Sequence, residues 1–180
     1  MTDNSVRLRP LREAELERIR IWRNHPEVRR FMYTQHEISA DEHRNWFQRA
    51  NDDAARHLLI AERRYADTAS VPFGFVNLHV VDSDASRAIW GFYLAPDASR
   101  GSGSALGEVA LTYAFTTLRL HKLCGEVLKN NAPSLRFHQR LGFQQEGVLR
   151  DHYFDGKYFQ SVICFGLLQH EWQSQSGECI

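Results

Sequence analysis

Apolar residues recur along the chain with two different periods. Residues 6–11 (VRLRPL) alternate apolar and polar side chains, the spacing of a strand with one covered face, and Pro10 suits an edge position there. Leu16, Ile19 and Trp22 then recur every three residues, which predicts a helix over 13–23. Asn24-His25-Pro26 breaks that helix, and a short helical turn is expected at 27–32. Ser39 followed three positions later by Glu42 reads as a capping box, opening a helix to about residue 50 with His43, Trp46 and Phe47 at spacings of three and four. Strands are expected at 57–61, 73–81 and 88–94. The turn-rich stretches 67–70 and 82–84 between them suggest antiparallel hairpins.

The second half of the chain changes period. Residues 96–103 form a loop rich in Gly and Ser, and 105–118 read as a buried helix through Leu106, Val109, Ala110, Tyr113, Ala114 and Leu118. A strand at 123–128 and a helix at 132–141, with Pro133 near its start, come next. Two last strands flank Asp155-Gly156, a strong hairpin signal. The expectation is a mixed α/β (α+β) domain over residues 1–172 with one central sheet, followed by a polar, flexible tail at 173–180.

Composition narrows the classes of function. The 22 basic and 22 acidic side chains balance. No basic stripe suits nucleic acid, and no basic amphipathic helix suits a membrane surface. No apolar run approaches the roughly 18 residues of a membrane span, and the first ten residues carry charges where a signal peptide is apolar. Cys124, Cys164 and Cys179 lack metal-ligand spacing. A cytoplasmic protein without disulfides or a bound metal is expected.

Arg100-Gly101-Ser102-Gly103-Ser104-Ala105 is the most informative stretch. It lies between a strand ending in Leu94-Ala95-Pro96 and a long apolar helix. A helix start exposes unpaired N–H groups and partial positive charge, small residues let a pyrophosphate approach them, and Arg100 can offset phosphate charge. A plain chain-turning loop is the competing explanation. The spacing is not the G-x-G-x-x-G of a dinucleotide fold.

Arg-x-x-Gly-x-Ala after a strand and before an apolar helix resembles the coenzyme A pyrophosphate loop of the GNAT N-acetyltransferases. Asn131-Ala132-Pro133-Ser134, followed by Phe137-His138-Gln139-Arg140-Leu141-Gly142-Phe143, resembles the family's second signature. The two stand in the family's order with a strand between them. The resemblance spans about residues 6–168. It implies a mixed, mostly antiparallel sheet with helices on both faces and a splayed strand pair that binds acetyl-coenzyme A. It also implies coenzyme contacts from Leu94, Ala95, the 100–105 loop, Asn131 and Phe137. A backbone N–H near Leu94 would polarise the thioester carbonyl.

An alkylamine is mostly protonated at neutral pH and must lose a proton before it attacks. Glu126 sits among apolar neighbours on the 123–128 strand, where a half-buried carboxylate can act as base; a satisfied sheet-edge carboxylate is the alternative. The resemblance matches Glu126 to a family base and places His138 where the family usually has a Tyr acid. A histidine acid would make the reaction pH-dependent near neutrality.

The first third carries candidate acceptor contacts. Trp22-Arg23-Asn24-His25-Pro26, then Met32-Tyr33, Ile38-Ser39 and a helix bearing His43 resemble the nucleotide-sugar N-acetyltransferases of the pseudaminic acid pathway. Those enzymes acetylate the 4-amino group of a UDP-linked amino sugar for flagellin glycosylation. Carried over, Arg23 and His43 contact the nucleotide-sugar, and Asn77, His79 and Tyr93 the reacting sugar; Asn24 is a further substrate-binding candidate. Packing is the competing role for Trp22, Met32, Trp46 and Phe47. A ribosomal-protein or peptide N-terminal acetyltransferase is the alternative enzyme, and a coenzyme A-binding sensor without chemistry the alternative class. A monomer or homodimer acting on a small-molecule amine is expected.

Overall fold

The computed structural model describes residues 5–65 and 68–176. Asp67, Cys179 and the end of the expected tail lie outside them. Seven strands form one sheet in the order β1-β2-β3-β4-β5-β7-β6. They are β1 (Val6–Pro10), β2 (Arg56–Tyr65), β3 (Thr68–Asp82), β4 (Arg87–Leu94), β5 (Lys122–Leu128), β6 (Gln144–Phe154) and β7 (Phe159–Leu168). β1–β2, β2–β3, β5–β7 and β6–β7 pair antiparallel, whereas β4 and β5 run parallel. The helices are α1 (Leu16–Asn24), α2 (Pro26–Arg29), α3 (Ala40–Asn51), α4 (Ser102–Thr112), α5 (Ala132–Arg140) and α6 (Gln169–Ser176). α6 covers the start of what the sequence suggests is a tail.

The chain divides into two compact units, Met1–His79 with Gly91–Ala110, and Val80–Trp90 with Leu111–Ile180. In the first, Leu16, Ile19 and Trp22 of α1 and Phe47 and Ala50 of α3 pack on Leu58 and Ile60 of β2 and Phe75 of β3. Burial of such side chains is worth about 1.5–3 kcal/mol each. Ser39 caps α3 by accepting the N–H of Glu42 at 3.1 Å, as its spacing suggests. Residues Glu13–Glu15 form a 3₁₀ turn instead of the first turn of α1. There the Glu15 carboxylate takes both guanidinium arms of Arg9 at 2.7 Å. Arg9 and Arg7 also hold the buried Glu62 carboxylate.

In the second unit α5 is capped by Asn131, whose side-chain oxygen accepts from the Ser134 N–H, and stops before Gly142 at φ +84°. The helix expected through 118 changes form at Tyr113–Thr117, a π turn in which the Leu118 N–H reaches the Tyr113 carbonyl five residues back. Phe115 there stacks on Trp172 of α6. β6 is exposed along nearly its whole length, with Val148, Leu149 and Phe154 open to solvent. Its register with β7 shifts between Leu149 and Tyr153, and Asp151 lies in that bulge at φ +48°. Asp155 closes the β6–β7 turn by accepting the N–H groups of Lys157 and Tyr158.

Candidate active site

Pairing between β4 and β5 is confined to Arg87–Ile89 against Lys122–Cys124. Both strands continue beyond it. β4 runs on to Leu94, after which the Ala95 N–H donates to the Phe73 carbonyl on β3 at 2.8 Å. β5 stays paired with β7 as far as Leu128. β4 also neighbours β3, and β5 neighbours β7. Because β3 takes the Ala95 N–H, that group is committed to the sheet.

The loop after β4 is built by its own hydrogen bonds. The Ala98 N–H donates to the Ala95 carbonyl, and the Ser102 N–H to that of Ser99. The Ser102 hydroxyl is buried against Ser99 Oγ at 3.2 Å, so it braces the loop. Gly101 has φ +87°, yet a Cβ there would meet no atom within 4 Å. Its glycine answers to conformation, not to space. Arg100, Gly101 and Ser104 are exposed at the mouth of α4. The helix start there presents N–H groups and a partial positive charge.

Glu126 differs from expectation. Strand alternation buries Leu123, Gly125 and Val127 and turns Glu126 outward, opposite Cys164 of β7, so the carboxylate is exposed instead of half-buried. His138 is buried at 2 % exposure. Its Nδ1 donates to the Ser134 carbonyl at 2.9 Å, and its Nε2 accepts from the Trp90 indole N–H at 3.2 Å. Burial lowers its pKa below the ordinary histidine range, although the Ser134 carbonyl favours the protonated ring. Phe137 lies nearly parallel to Trp90 with ring centres 6.2 Å apart, and Asn131 is committed to capping α5.

The acceptor candidates are held by α1, α3, β3 and β4. His43 stacks on Trp46, Trp46 meets Phe75 edge-on, and Phe75 packs on Tyr93. Alternation along β3 puts Asn77 and His79 on the face of Phe75. Burial lowers the pKa of His43, and Arg20 and Arg23 push it the same way. Burial raises that of Tyr93, whose hydroxyl donates to the Ile19 carbonyl. Arg23 Nη2 donates to the Thr34 carbonyl at 3.0 Å, whereas Nη1 is buried with no hydrogen-bond partner among the described residues. Asn77 Oδ1 is in the same condition. His79 lies 3.7 Å from Asp53, which Arg56 also holds. Asn24 uses its amide on the backbone of Ile38, so it shapes the chain around Arg23.

Residues 5–144 match the model of the acetyltransferase (GNAT) domain. The chain belongs to the GNAT acetyltransferase family. It is an acetyl-coenzyme A-dependent N-acetyltransferase. Spermidine N(1)-acetyltransferase of Escherichia coli (strain K12) is 26 % identical over 175 residues, covering 96 % of this chain and 90 % of that protein. Acetyltransferase PseH of Campylobacter jejuni (serotype O:2) is 28 % identical over 145 residues, covering 80 % and 86 %. A crystal structure of spermidine N-acetyltransferase from Vibrio cholerae with CoA and spermine superposes with a TM-score of 0.83 at 25 % identity, over 93 % of this chain and 97 % of that one.

For a GNAT enzyme the Gly101 loop fits the cosubstrate. The start of α4 with Arg100 suits a pyrophosphate. Among the described residues no cluster of three or more His, Cys, Asp or Glu side chains is placed to hold a metal ion. No described helix is long and apolar enough to cross a membrane. Sequence reasoning missed Trp90 and Gly125. A tryptophan mid-strand and a lone glycine in an apolar strand were the available signals, and neither says that the two meet.

Proposed function

We propose that this GNAT enzyme acetylates the 4-amino group of a UDP-linked amino sugar, the step used in pseudaminic acid synthesis for flagellin glycosylation. The observation that carries the reading is the pair of unmet buried groups, a donor on Arg23 and an acceptor on Asn77. An unmet buried polar group costs about 1–3 kcal/mol, so a ligand that supplies both partners recovers that energy on binding. An amino sugar linked to a diphosphate offers anionic or carbonyl oxygens for Arg23 and hydroxyl or amine hydrogens for Asn77. A polyamine offers only donors and positive charge, which suits Asn77 and opposes Arg23. His43, His79 and Tyr93 complete the lining in this reading. Asn24 supports Arg23 from behind.

Glu126 is the proposed proton acceptor for the amine, directly or through water. Its exposed carboxylate stands two residues beyond the last β4–β5 pair.

A thiol-release assay with acetyl-coenzyme A tests the acceptor. A UDP-4-amino sugar should be turned over at a kcat/KM at least tenfold above spermidine or a ribosomal N-terminal peptide. Arg23→Met should raise the KM for the sugar about tenfold or more, the loss expected for a charged hydrogen bond, and leave that for acetyl-coenzyme A near its original value. Preferred turnover of spermidine would establish the polyamine reading, which the Escherichia coli and Vibrio cholerae relatives favour.

A further inference from the structure

Trp90 and Gly125 are the residues that immediately follow the last β4–β5 ladder pair, Ile89 with Cys124. They meet through His138. The Trp90 indole N–H donates to His138 Nε2, and the imidazole ring lies against the bare Cα of Gly125. A Cβ on Gly125 would stand 2.7 Å from His138 Nε2 and 2.8 Å from Trp90 Nε1. No real Cβ sits so close to two atoms, and both belong to side chains wedged in place. His138 stacks on Phe165 at 5.0 Å and meets Phe143 and Phe137 edge-on, while Trp90 lies flat on Phe143 at 5.3 Å. The other ring nitrogen anchors this assembly to the first turn of α5 through the Ser134 carbonyl.

We propose that the Trp90–His138 pair over Gly125 is the wedge that ends the β4–β5 ladder, and that His138 acts there as a neutral hydrogen-bond acceptor and not as a proton donor. The geometry sets the protonation. Nε2 receives a hydrogen from Trp90, so it carries a lone pair, and Nδ1 carries the ring proton toward Ser134. Protonating Nε2 would aim two N–H groups at each other. His138 is therefore a positioning residue: it orients Trp90 at the end of that ladder, beside which the coenzyme arm binds. The proposal rests on the coenzyme arm binding beside the end of the β4–β5 ladder. It is independent of which amine the enzyme acetylates.

Long-range proton–nitrogen NMR of the imidazole tests the tautomer. His138 should show one protonated and one lone-pair nitrogen, with Nδ1 protonated, unchanged between pH 6 and pH 8. The Trp90 indole N–H signal, assigned with Trp90→Phe, should shift upfield in His138→Phe and return most of the way in His138→Gln, whose side-chain oxygen can accept the same hydrogen bond. Kinetics should follow the signal. His138→Phe should raise the KM for acetyl-coenzyme A about tenfold, the worth of one buried hydrogen bond. His138→Gln should recover most of that loss, although Gln cannot donate a proton to a thiolate. Gly125→Ala should raise the same KM by moving the pair. The proposal is overturned if the His138 ring titrates between pH 6 and pH 8. It is equally overturned if His138→Gln loses 100-fold or more in kcat with an unchanged KM for acetyl-coenzyme A, the signature of a lost acid.

Discussion

Asn24 grips the backbone of Ile38 from both sides. Its side-chain nitrogen donates to the Ile38 carbonyl and its side-chain oxygen accepts the Ile38 N–H, each at 2.8 Å. Arg20 adds a third bond to the same carbonyl at 3.0 Å. The last residue of α1 thus pins the chain that enters α3, fourteen positions later. Asn24→Ala should lower stability by about 1–3 kcal/mol, two side-chain to backbone bonds, with acetyl-coenzyme A affinity unchanged. Urea unfolding and calorimetry give the two numbers. An unaltered midpoint together with a raised KM for the amine would return Asn24 to a direct substrate role.

Gly103 stands in the first turn of α4, where N–H groups face outward. Gly103→Asp adds a carboxylate to that turn. The negative charge suits the helix start and opposes a pyrophosphate. Folding should therefore be nearly unaffected, while acetyl-coenzyme A affinity falls tenfold or more. A titration with coenzyme A alone checks it, and equal affinity in a folded variant would remove the pyrophosphate from this loop.

Glu62 is buried between Arg7 and Arg9, with charged contacts at 2.6 Å. Burial alone would raise its pKa, but the bonds from Arg9 and Arg7 outweigh it and hold the carboxyl below the ordinary range. A depressed carboxylate pKa adds stability above the unfolded-state value, and that stability is lost as pH falls through the folded-state value. Glu62→Gln should cost about 1.5–3 kcal/mol at pH 7 and much less near pH 3. Thermal melts of both proteins across that range measure the difference.

Three histidines titrate in the opposite sense from a salt-bridged one. Burial lowers the pKa of His43, His57 and His138 below the ordinary value of 6.5. Between each folded value and 6.5 the unfolded chain binds more protons. Stability should accordingly be complete above about pH 7.5 and decline as pH drops through 6.5, levelling off once the folded rings protonate. His43→Phe should flatten part of that slope. A slope identical to that of the original protein would mean that His43 binds its proton equally in the folded and unfolded chains.

Local signals were legible where a residue acts on its own neighbourhood. Ser39 before Glu42, Asp155-Gly156 and Pro133 mark a helix cap, a hairpin turn and a helix start, and each is found in its place. The GNAT signatures extend this to a loop and a helix. Contacts across long separations were not legible. Trp90 and His138 lie 48 positions apart, and nothing in a Trp-Gly or a Phe-His pair foretells their bond. Glu126 was misjudged for a different reason. Apolar neighbours on both sides suggested shelter, but a strand hides alternate residues, and Gly125 took the covered place. Asn24 lay in a stretch rich in donors, where one residue that builds the chain looks like one that binds a ligand. The π turn at Tyr113–Thr117 leaves apolar spacing almost unchanged, so a plain helix through 118 was the natural expectation.

β6 ends the sheet with eleven residues, nearly all open to water, and apolar side chains among them. A straight strand of that kind is a template on which further strands stack, and stacked strands grow into fibrils. The bulge at Asp151 twists the template out of line, and Arg150, Asp151 and His152 set hydrated groups in its middle. The irregularity in β6 thus guards against aggregation: the strand is long enough to complete the sheet and too crooked to extend it.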